Sequence, residues 1–264
     1  MSYNGMQNDI GDTMKQLEAV EAGRRVNGVV LCRVDGKGFH NYTTKMKMQR
    51  PFDGRLELLR CHVVASIMKQ TGARMGYAQS DEMSFVWHVD IYCAGRVAKM
   101  VSHMASMATA YWNRKAVGLN FGEDHDALFD ARVWSVPDLA TAETYFRWRQ
   151  WDAQRNSVSQ MARSLASHKE MFELTEDQLL ELIRSRGGEW NDCMSWAKYG
   201  TYTVREVEST VITDSTGLPP KHAAHKALAQ GLGFPVVRNV IRALAEVPAE
   251  LIPYMQVESG NEAR

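Results

Sequence analysis

The sequence predicts an α+β fold, in which a ferredoxin-like βαββαβ unit forms an antiparallel sheet with helices on one face. The first observation is the order of patterns: an apolar run, a helical pattern, two short alternating runs, a second helical pattern and a final strand. This order is that of the split βαβ motif. The second observation is the polar turn Ser80-Asp81-Glu82, which joins the alternating runs as a hairpin. The predicted strands are 26–34, 75–80, 83–90 and 129–136, and the helices between them are 53–70 and 96–115.

Each element of this unit has a local justification. The first run is rich in valine, which is typical of a buried strand, and it ends at Asp35. Apolar residues recur at helical spacing along 53–70, and Gly72 closes that helix. In the second hairpin strand, large apolar residues occupy every other position. The methionines and alanines of 96–115 indicate core packing, and Pro137 ends the last strand.

The remaining segments flank this unit. We expect a sheet-based catalytic domain at 1–137 and a mostly helical C-terminal region at 138–264, either packed on it or continuous with it as one domain. Asp138 and the capping box that begins at Thr175 start two helices of the second region. The full set of flanking predictions is a helix at 9–23, a polar loop at 37–50, helices at 138–168 and 175–186, a strand at 201–211, and short helices within 221–247.

Composition limits the class of protein. The 264 residues carry 31 basic and 31 acidic side chains, and this zero net charge argues against a general polyanion binder. No apolar run approaches the roughly 20 residues that span a bilayer, and the N-terminus lacks a signal-peptide pattern. The four cysteines form no CxxC pair, which favours reduced thiols over a zinc site. We therefore expect a soluble cytoplasmic protein.

Two acidic residues are placed where a metal site would need them. Asp35 ends the first strand, and Asp81 lies in the hairpin turn, so the proposed fold brings both to one edge of the sheet. Carboxylate oxygens are ligands that Mg²⁺ takes in proteins, and the carbonyl of Gly36 could add another. Two metal ions about 3.5–4 Å apart can stabilise the attacking and leaving oxygens of a phosphoryl displacement. The pattern predicts a two-metal nucleotidyl-transfer site.

A phosphate site is predicted beside these carboxylates. Backbone N–H groups of the glycine-rich stretch from Lys37 to His40 could face a triphosphate. Ser80 and the side chain of either Arg50 or Lys45 could complete the anion site. An Asp-Gly pair after a strand is often only a turn, so each segment alone is weak evidence. The two segments together, on these elements, are considerably more specific.

The motifs resemble those of the tRNA(His) guanylyltransferase family, including its relatives that polymerise in the 3′–5′ direction. The resemblance covers roughly residues 27 to 160 and is weaker to about 206. It rests on Arg33-Val34-Asp35-Gly36-Lys37-Gly38-Phe39-His40, Arg50-Pro51-Phe52-Asp53, Tyr77-Ala78-Gln79-Ser80-Asp81-Glu82, Phe129-Asp130-Ala131-Arg132-Val133 and Trp148-Arg149-Gln150-Trp151-Asp152.

The resemblance implies a polymerase-palm-like domain, a homotetramer, and Mg²⁺-dependent transfer of a nucleotide to the 5′ end of tRNA. ATP activates the 5′ end in that family, the 3′-hydroxyl of GTP attacks it, and pyrophosphate is then removed. The residues at metal-binding positions are Asp35, Gly36 (through its carbonyl) and Asp81, which would hold two Mg²⁺. Those at nucleotide-binding positions are Asp35, Gly36, Lys37, Gly38, Phe39, His40, Arg50, Ser80 and Asp81, with Asp53 matching the residue that reads the guanine edge. Glu82 matches a further acidic position of the catalytic motif.

The sequence also departs from the family. Gln154 stands where the family has a histidine linked to reading the anticodon, and Glu189-Trp190-Asn191-Asp192 lacks the lysine of a later Asp-Lys-Asn-Glu motif. Reading of the histidine anticodon is therefore doubtful, which makes plausible either a less selective 5′-end repair polymerase or a guanylyltransferase that finds its tRNA otherwise. A catalytically idle nucleotide- or RNA-binding module is the main alternative, and cyclisation of a nucleoside triphosphate is a third.

Two further groups of residues have open interpretations. The tryptophans of this region could stack on bases, although buried or interface positions are the safer prediction. The basic residues could face tRNA or simply form a solvated helix face. The tryptophans are Trp148, Trp151 and Trp190, and the basic residues are Arg147, Arg149, Arg155, Arg163 and Lys169.

Overall fold

The computed structural model describes residues 23–119, 121, 126–212 and 234–256. The strands are β1 (Val29–Gly36), β2 (Met75–Gln79), β3 (Glu82–Trp87), β4 (Phe129–Val136), β5 (Thr201–Ile212) and β6 (Phe234–Ala243). The helices are α1 (Phe39–Lys45), α2 (Gly54–Thr71), α3 (Val97–Val117), α4 (Leu139–Leu165), α5 (His168–Met171), α6 (Glu176–Ser185), α7 (Ser195–Tyr199) and α8 (Ile252–Met255). Short 3₁₀ turns cover Tyr92–Gly95 and Trp190–Asp192.

The described strands form one antiparallel sheet in the order β4-β1-β3-β2-β5-β6. The first four strands have the ferredoxin-like order, with α2 and α3 as the connecting helices, which confirms the predicted fold class. β5 and β6 extend the sheet beyond β2, so the C-terminal half contributes strands to the same sheet. The proposed boundary near residue 137 stays a prediction.

Side chains of β1 alternate between two cores, as the period of a strand requires. Val30 and Val34 belong to the core that α2 and α3 cover. Leu31 belongs to the core on the opposite face, where Phe146 of α4 and Met255 of α8 pack. The helices of the ferredoxin-like unit therefore cover one face, and the long C-terminal helix α4 covers the other.

Two segments differ from their sequence predictions. The predicted loop at 37–50 contains α1, whose Phe39 and Tyr42 pack against Trp112 of α3 with ring centroids 5.1 and 6.5 Å away. The prediction of short helices within 221–247 is wrong for its described part, because β6 pairs there with β5 along ten residues. Residues 1–22, which include nearly all of the predicted helix at 9–23, and residues 221–233 lie outside the described part of the chain.

All four cysteines are free thiols in the structure, and burial raises the pKa of Cys32 well above its usual range. None of the described helices combines the length and apolarity that crossing a membrane would require.

Candidate active site

Asp35 lies near the end of β1, at the edge of the sheet where the hairpin turns. It pairs with Glu82 of β3 on one side and with Asp130 of β4 on the other. Its side chain is about one-third exposed, with Arg33 Nη2 3.8 Å from Oδ2. Asp35 is therefore accessible at a sheet edge that three acidic residues share.

The β2–β3 hairpin presents the second carboxylate. Gln79 pairs with Glu82, which leaves Ser80 and Asp81 as a two-residue loop. Ser80 has a φ of 49°, a left-handed conformation that costs a non-glycine residue free energy. Surrounding contacts must therefore hold the turn in this shape, and the turn places Asp81 beside the end of β1.

Gly36 allows the end of β1 and the β2–β3 hairpin to come into contact. A Cβ atom at position 36 would lie 2.9 Å from Asp81 Oδ2, 2.8 Å from Asp81 Cβ and 2.5 Å from Phe39 Cδ2. Only a residue without a side chain fits this contact. Burial raises the pKa of Asp81, and the negative charge of Asp35 raises it further. The structure thus brings together Asp35 and Asp81, which are 46 positions apart in the sequence.

Glu82 is buried and is bound by an arginine. Arg149 of α4 donates from Nε to Oε1 and from Nη2 to Oε2, both at 2.7 Å. Both side chains are 7% exposed, and Arg149 also donates to Asp152 at 2.9 Å. Glu82 therefore ties the hairpin to α4, and its assignment as a catalytic acid stays a prediction.

A cavity of about 460 Å³ opens beside Asp81, between α1, α2 and the intervening loop on one side and α4 and α7 on the other. Six of the sequence-predicted site residues line this cavity: Phe39, His40, Arg50, Asp53, Ser80 and Asp81. Arg50 and Arg163 both line it and are exposed, and neither is paired with a carboxylate in the described part of the chain. Of the two cations that the sequence left as alternatives, Arg50 lines the cavity and Lys45 does not.

The glycine-rich stretch only partly follows its prediction as a phosphate cradle. The backbone N–H of Lys37 donates to the carbonyl of Leu128 at 2.8 Å, so it is not free for a phosphate. Gly38, with a φ of 61°, turns the chain into α1. Phe39 is buried among aromatic rings, whereas His40 is exposed and lines the cavity. Two residues of this stretch, Phe39 and His40, therefore line the cavity, and His40 is the exposed one.

Asp53 stabilises the start of α2 and the loop before it through hydrogen bonds. It caps α2 by accepting from the Arg55 N–H at 2.9 Å, and it accepts from the Gln49 N–H at 3.0 Å. The Arg55 guanidinium adds two hydrogen bonds, at 3.1 and 2.7 Å. These four donors occupy the roughly four acceptor positions of a carboxylate. The assignment of Asp53 to guanine stays a prediction, since it requires Arg55 to release the side chain.

The donor set suits Mg²⁺ bound together with a substrate. Among the residues that the structure describes, no three His, Cys, Asp or Glu side chains form a cluster able to hold a metal ion. Mg²⁺ is usually bound by one or two carboxylates plus substrate phosphates. Asp35, Asp81 and the Gly36 carbonyl match that pattern. Burial and, to a smaller extent, the charge of Asp35 raise the pKa of Asp81, and a bound cation would relieve the repulsion between the two carboxylates.

The tryptophans and basic residues that the sequence singled out on and after α4 have different outcomes. Trp190 is buried and donates to Ser157 at 3.0 Å, as the safer prediction expected, whereas Trp148 and Trp151 are 51% and 63% exposed. Arg147 donates to the carbonyls of residues 248 and 249, and Arg149 is buried. The basic face is therefore reduced to its exposed members, Arg155, Arg163 and Lys169.

Sequence reasoning missed Arg60 of α2, a buried arginine that lines the cavity and donates to the Ser80 carbonyl at 3.3 Å. One signal was present: Glu57 precedes it by three positions, the spacing of a helical ion pair. Nothing in the sequence shows that this pair points inward.

Comparisons with known proteins identify similar sequences and structures. The family model described as tRNAHis guanylyltransferase matches residues 11–137. The chain is 32% identical over 138 residues to a tRNA(His) guanylyltransferase of Schizosaccharomyces pombe, covering 49% of this chain and 51% of that relative. It thus spans about half the length of that protein. It is 28% identical over 200 residues to a Debaryomyces hansenii tRNA(His) guanylyltransferase, covering 69% and 75% of the two chains.

Solved structures show the same fold. A bacterial tRNA(His) guanylyltransferase-like protein in complex with ATP has a TM-score of 0.67 and 29% identity, covering 74% of this chain and 88% of that one. A bacterial tRNA(His) guanylyltransferase-like protein in complex with GTP has a TM-score of 0.64 and 24% identity, covering 91% and 92%. Residues 11–137 of this chain are therefore similar in sequence to the tRNAHis guanylyltransferase family, and the fold is similar to that of the two bacterial proteins.

Proposed function

We propose that this protein is a Mg²⁺-dependent nucleotidyltransferase that adds a nucleotide, preferably from GTP, to the 5′ end of tRNA in the 3′–5′ direction. Activation of the 5′ end would use ATP or an existing 5′-triphosphate. The observation that carries the proposal is the contact of Asp81 with Gly36 beside Asp35, because Asp81 also lines the cavity that His40 and Arg50 line.

The residues present suit this reaction. Asp35, Asp81 and the Gly36 carbonyl would hold two Mg²⁺, which supply charge stabilisation to the attacking and leaving oxygens of a phosphoryl displacement. His40, Arg50 and Arg163 line the cavity beside them and can stabilise negative charge on phosphate oxygens. The buried Glu82–Arg149 pair holds the hairpin that carries Asp81.

The substrates follow from the family and its neighbours. Bacterial proteins of the same fold are described in complex with ATP and with GTP, which supports nucleoside triphosphates as ligands of this cavity. The family's name supports tRNA as the acceptor.

Gln154 donates to Glu176 at 3.3 Å, which supports a scaffold role in α4 for this residue. We propose a homotetramer, as the family resemblance implies, and a cytoplasmic location, as the composition favours.

The test is transfer of radiolabelled GTP to 5′-monophosphorylated and 5′-truncated tRNAs, with Mg²⁺ and ATP, followed by mapping of the 5′ ends. Asp35→Asn and Asp81→Asn should each abolish transfer. Asp177→Asn, an exposed carboxylate in the first turn of α6, is the matched control and should remain active. Full activity of both site variants would show that the assignment is wrong.

The same assay separates the alternatives. The missing lysine at 189–192 and Gln154 are the features that favour an idle binding module. Thermal stabilisation by nucleotides without transfer to any RNA would support that module. Chromatography of the products would detect a cyclic nucleotide, which would support the cyclisation alternative.

A further inference from the structure

Arg60 occupies an unusual position for an arginine near the middle of a helix. Its side chain is only 6% exposed, and it lines the cavity beside Asp81. Its Nη1 donates to the carbonyl of Ser80 at 3.3 Å. Arg60 thus contacts the backbone of the residue that precedes Asp81, at the point where the turn has its left-handed φ.

The guanidinium is held in place from its other side. Arg60 donates to Glu57 Oε2 from Nε at 3.1 Å and from Nη2 at 2.5 Å. Glu57 Oε1 accepts from Cys61 Sγ at 3.1 Å and from the hydroxyl of Thr201. Burial opposes the charge of Glu57, but the charge of Arg60 and these hydrogen bonds lower its pKa. Four hydrogen bonds, two of them from Arg60, therefore hold the carboxylate of Glu57.

A second arginine binds the β2–β3 hairpin from the opposite face of the sheet. Arg149 belongs to α4, which packs on one face of the sheet, whereas Arg60 belongs to α2, which packs on the opposite face. Arg149 holds the side chain of Glu82, and Arg60 holds the carbonyl of Ser80. The two residues on either side of Asp81 are each bound by a guanidinium from a different face of the sheet.

We propose that Arg60 is a positioning residue for Asp81: the ionised Glu57–Arg60 pair fixes the Ser80 carbonyl and so aims the Asp81 carboxylate at the end of β1. A left-handed serine persists only where its surroundings determine it, and Arg60 supplies one such contact. Partners behind a metal ligand fix its orientation, and losing one weakens metal binding by about 10–100-fold. This inference rests on the proposed function, in which Asp81 binds a divalent metal.

The experiment compares four forms of the full chain: wild type, Arg60→Lys, Arg60→Met and the double variant Glu57→Leu/Arg60→Met. Mn²⁺ binding is measured by electron paramagnetic resonance with GTP present and without RNA, against a blank of Mn²⁺ and GTP alone, because substrate phosphates are expected to complete the site. Thermal unfolding is followed separately. Removing Arg60 alone leaves Glu57 buried and unpaired, so Arg60→Met loses stability for that reason as well. The double variant removes both charges and replaces them with apolar groups of similar size, which is often neutral or stabilising.

The expected result separates positioning from stability. Arg60→Met should bind Mn²⁺ about 10–100-fold more weakly than wild type. The double variant should recover the thermal midpoint but not the affinity, because Ser80 still lacks its donor. Arg60→Lys keeps a cationic donor but lacks the planar guanidinium, so it should bind Mn²⁺ more tightly than Arg60→Met and more weakly than wild type.

Two outcomes would overturn the inference, and they are distinguishable. Wild-type affinity in the double variant, with Asp81→Asn abolishing binding, would show that the metal site stands and that Arg60 does not position it. If the wild type and Asp81→Asn bind Mn²⁺ equally, Asp81 does not bind the metal. Both the proposed metal site and this inference would then be wrong.

Discussion

The carboxylate of Asp81 lies against the Cα of Gly36, so close that a methyl group at position 36 would be 2.9 Å from Oδ2. This contact joins the end of β1 to the β2–β3 hairpin. The φ of Gly36 is not in the left-handed region, so the backbone itself would accept another residue. The glycine is required by the approach of Asp81 and Phe39 rather than by its own conformation.

Gly36→Ala should therefore displace Asp81 without unfolding the protein. The added methyl overpacks the contact, which costs about 1–3 kcal/mol of stability. Misplacement of a catalytic group by about 1 Å can lower a rate by about 100-fold, and we expect a loss of that size in GTP transfer. The measurements are the transfer rate and the thermal midpoint.

Gly28→Ala is the control for this prediction. Gly28 has a φ of 66° but no atoms within 4 Å of an added Cβ. This variant should lose about 1–2 kcal/mol of stability through backbone strain and keep its transfer rate per folded molecule. Equal rates for Gly36→Ala and wild type would contradict the close approach.

Asp53→Ala should destabilise the protein and weaken GTP and ATP binding alike. It removes the cap of α2, worth about 0.5–2 kcal/mol, and the contacts that hold the loop before it. Asp53→Asn keeps a residue able to cap and so isolates the loss of the Arg55 ion pair. Calorimetric titration of both nucleotides is the measurement. A loss confined to GTP would show instead that Asp53 reads guanine.

The same residue gives a pH dependence. The hydrogen bonds from Arg55 lower the pKa of Asp53, although burial opposes them. A carboxyl whose pKa is lower in the folded state stabilises that state above its unfolded pKa of about 3.9. The difference in thermal midpoint between wild type and Asp53→Asn should be constant near pH 6 and shrink as the pH falls through the folded pKa. A difference that persists unchanged at pH 2.5 would contradict this.

Much of the fold was predictable because its signals are local. β4 (Phe129–Val136) matches its prediction at both ends, since Pro137 marks the stop. α6 begins at the capping box of Thr175 and Gln178. β6 was missed, although its segment contains valine and isoleucine, because a strand at the edge exists only through pairing with β5. α1 was missed because its seven residues are stabilised by packing on α3.

The candidate site shows the same division. The carboxylates Asp35 and Asp81 were predictable, because Asp35 lies near the end of a recognisable strand and Asp81 follows another. The two buried arginines were not, because a charged residue on an amphipathic helix normally faces water. Arg60 and Arg149 are buried only because Glu57 and Glu82 meet them. Such pairs depend on which helix face the sheet receives, and that is decided by tertiary packing.

Breaking the Glu82–Arg149 pair should destabilise the protein strongly. Arg149→Met leaves Glu82 buried without its bidentate partner, which typically costs about 3–5 kcal/mol. The double variant Glu82→Leu/Arg149→Met should regain most of that stability. Denaturant unfolding of the four forms measures the coupling. If the double variant is stable and still transfers GTP, Glu82 has no catalytic role; if it is stable and inactive, the predicted catalytic role is supported.

Arg50→Ala should weaken binding of the triphosphate rather than fold stability. Arg50 lines the cavity, is exposed and has no carboxylate partner in the described residues, so its charge is available to phosphate. Loss of a hydrogen bond to a charged group is worth about 1.5–3 kcal/mol, and we expect at least a tenfold rise in the KM for GTP. Steady-state kinetics at low and high salt measures it, and the defect should narrow at high salt.

Lys45→Ala is the matched control, because Lys45 is also an exposed cation near this loop but lies outside the cavity wall. Its KM for GTP should stay within twofold of wild type. Guanosine, which lacks phosphates, should compete equally well in Arg50→Ala and wild type, since Arg50 is expected to act on the phosphates alone. A larger effect from Lys45→Ala than from Arg50→Ala would place the triphosphate on the opposite side of α1 and contradict the use of this cavity.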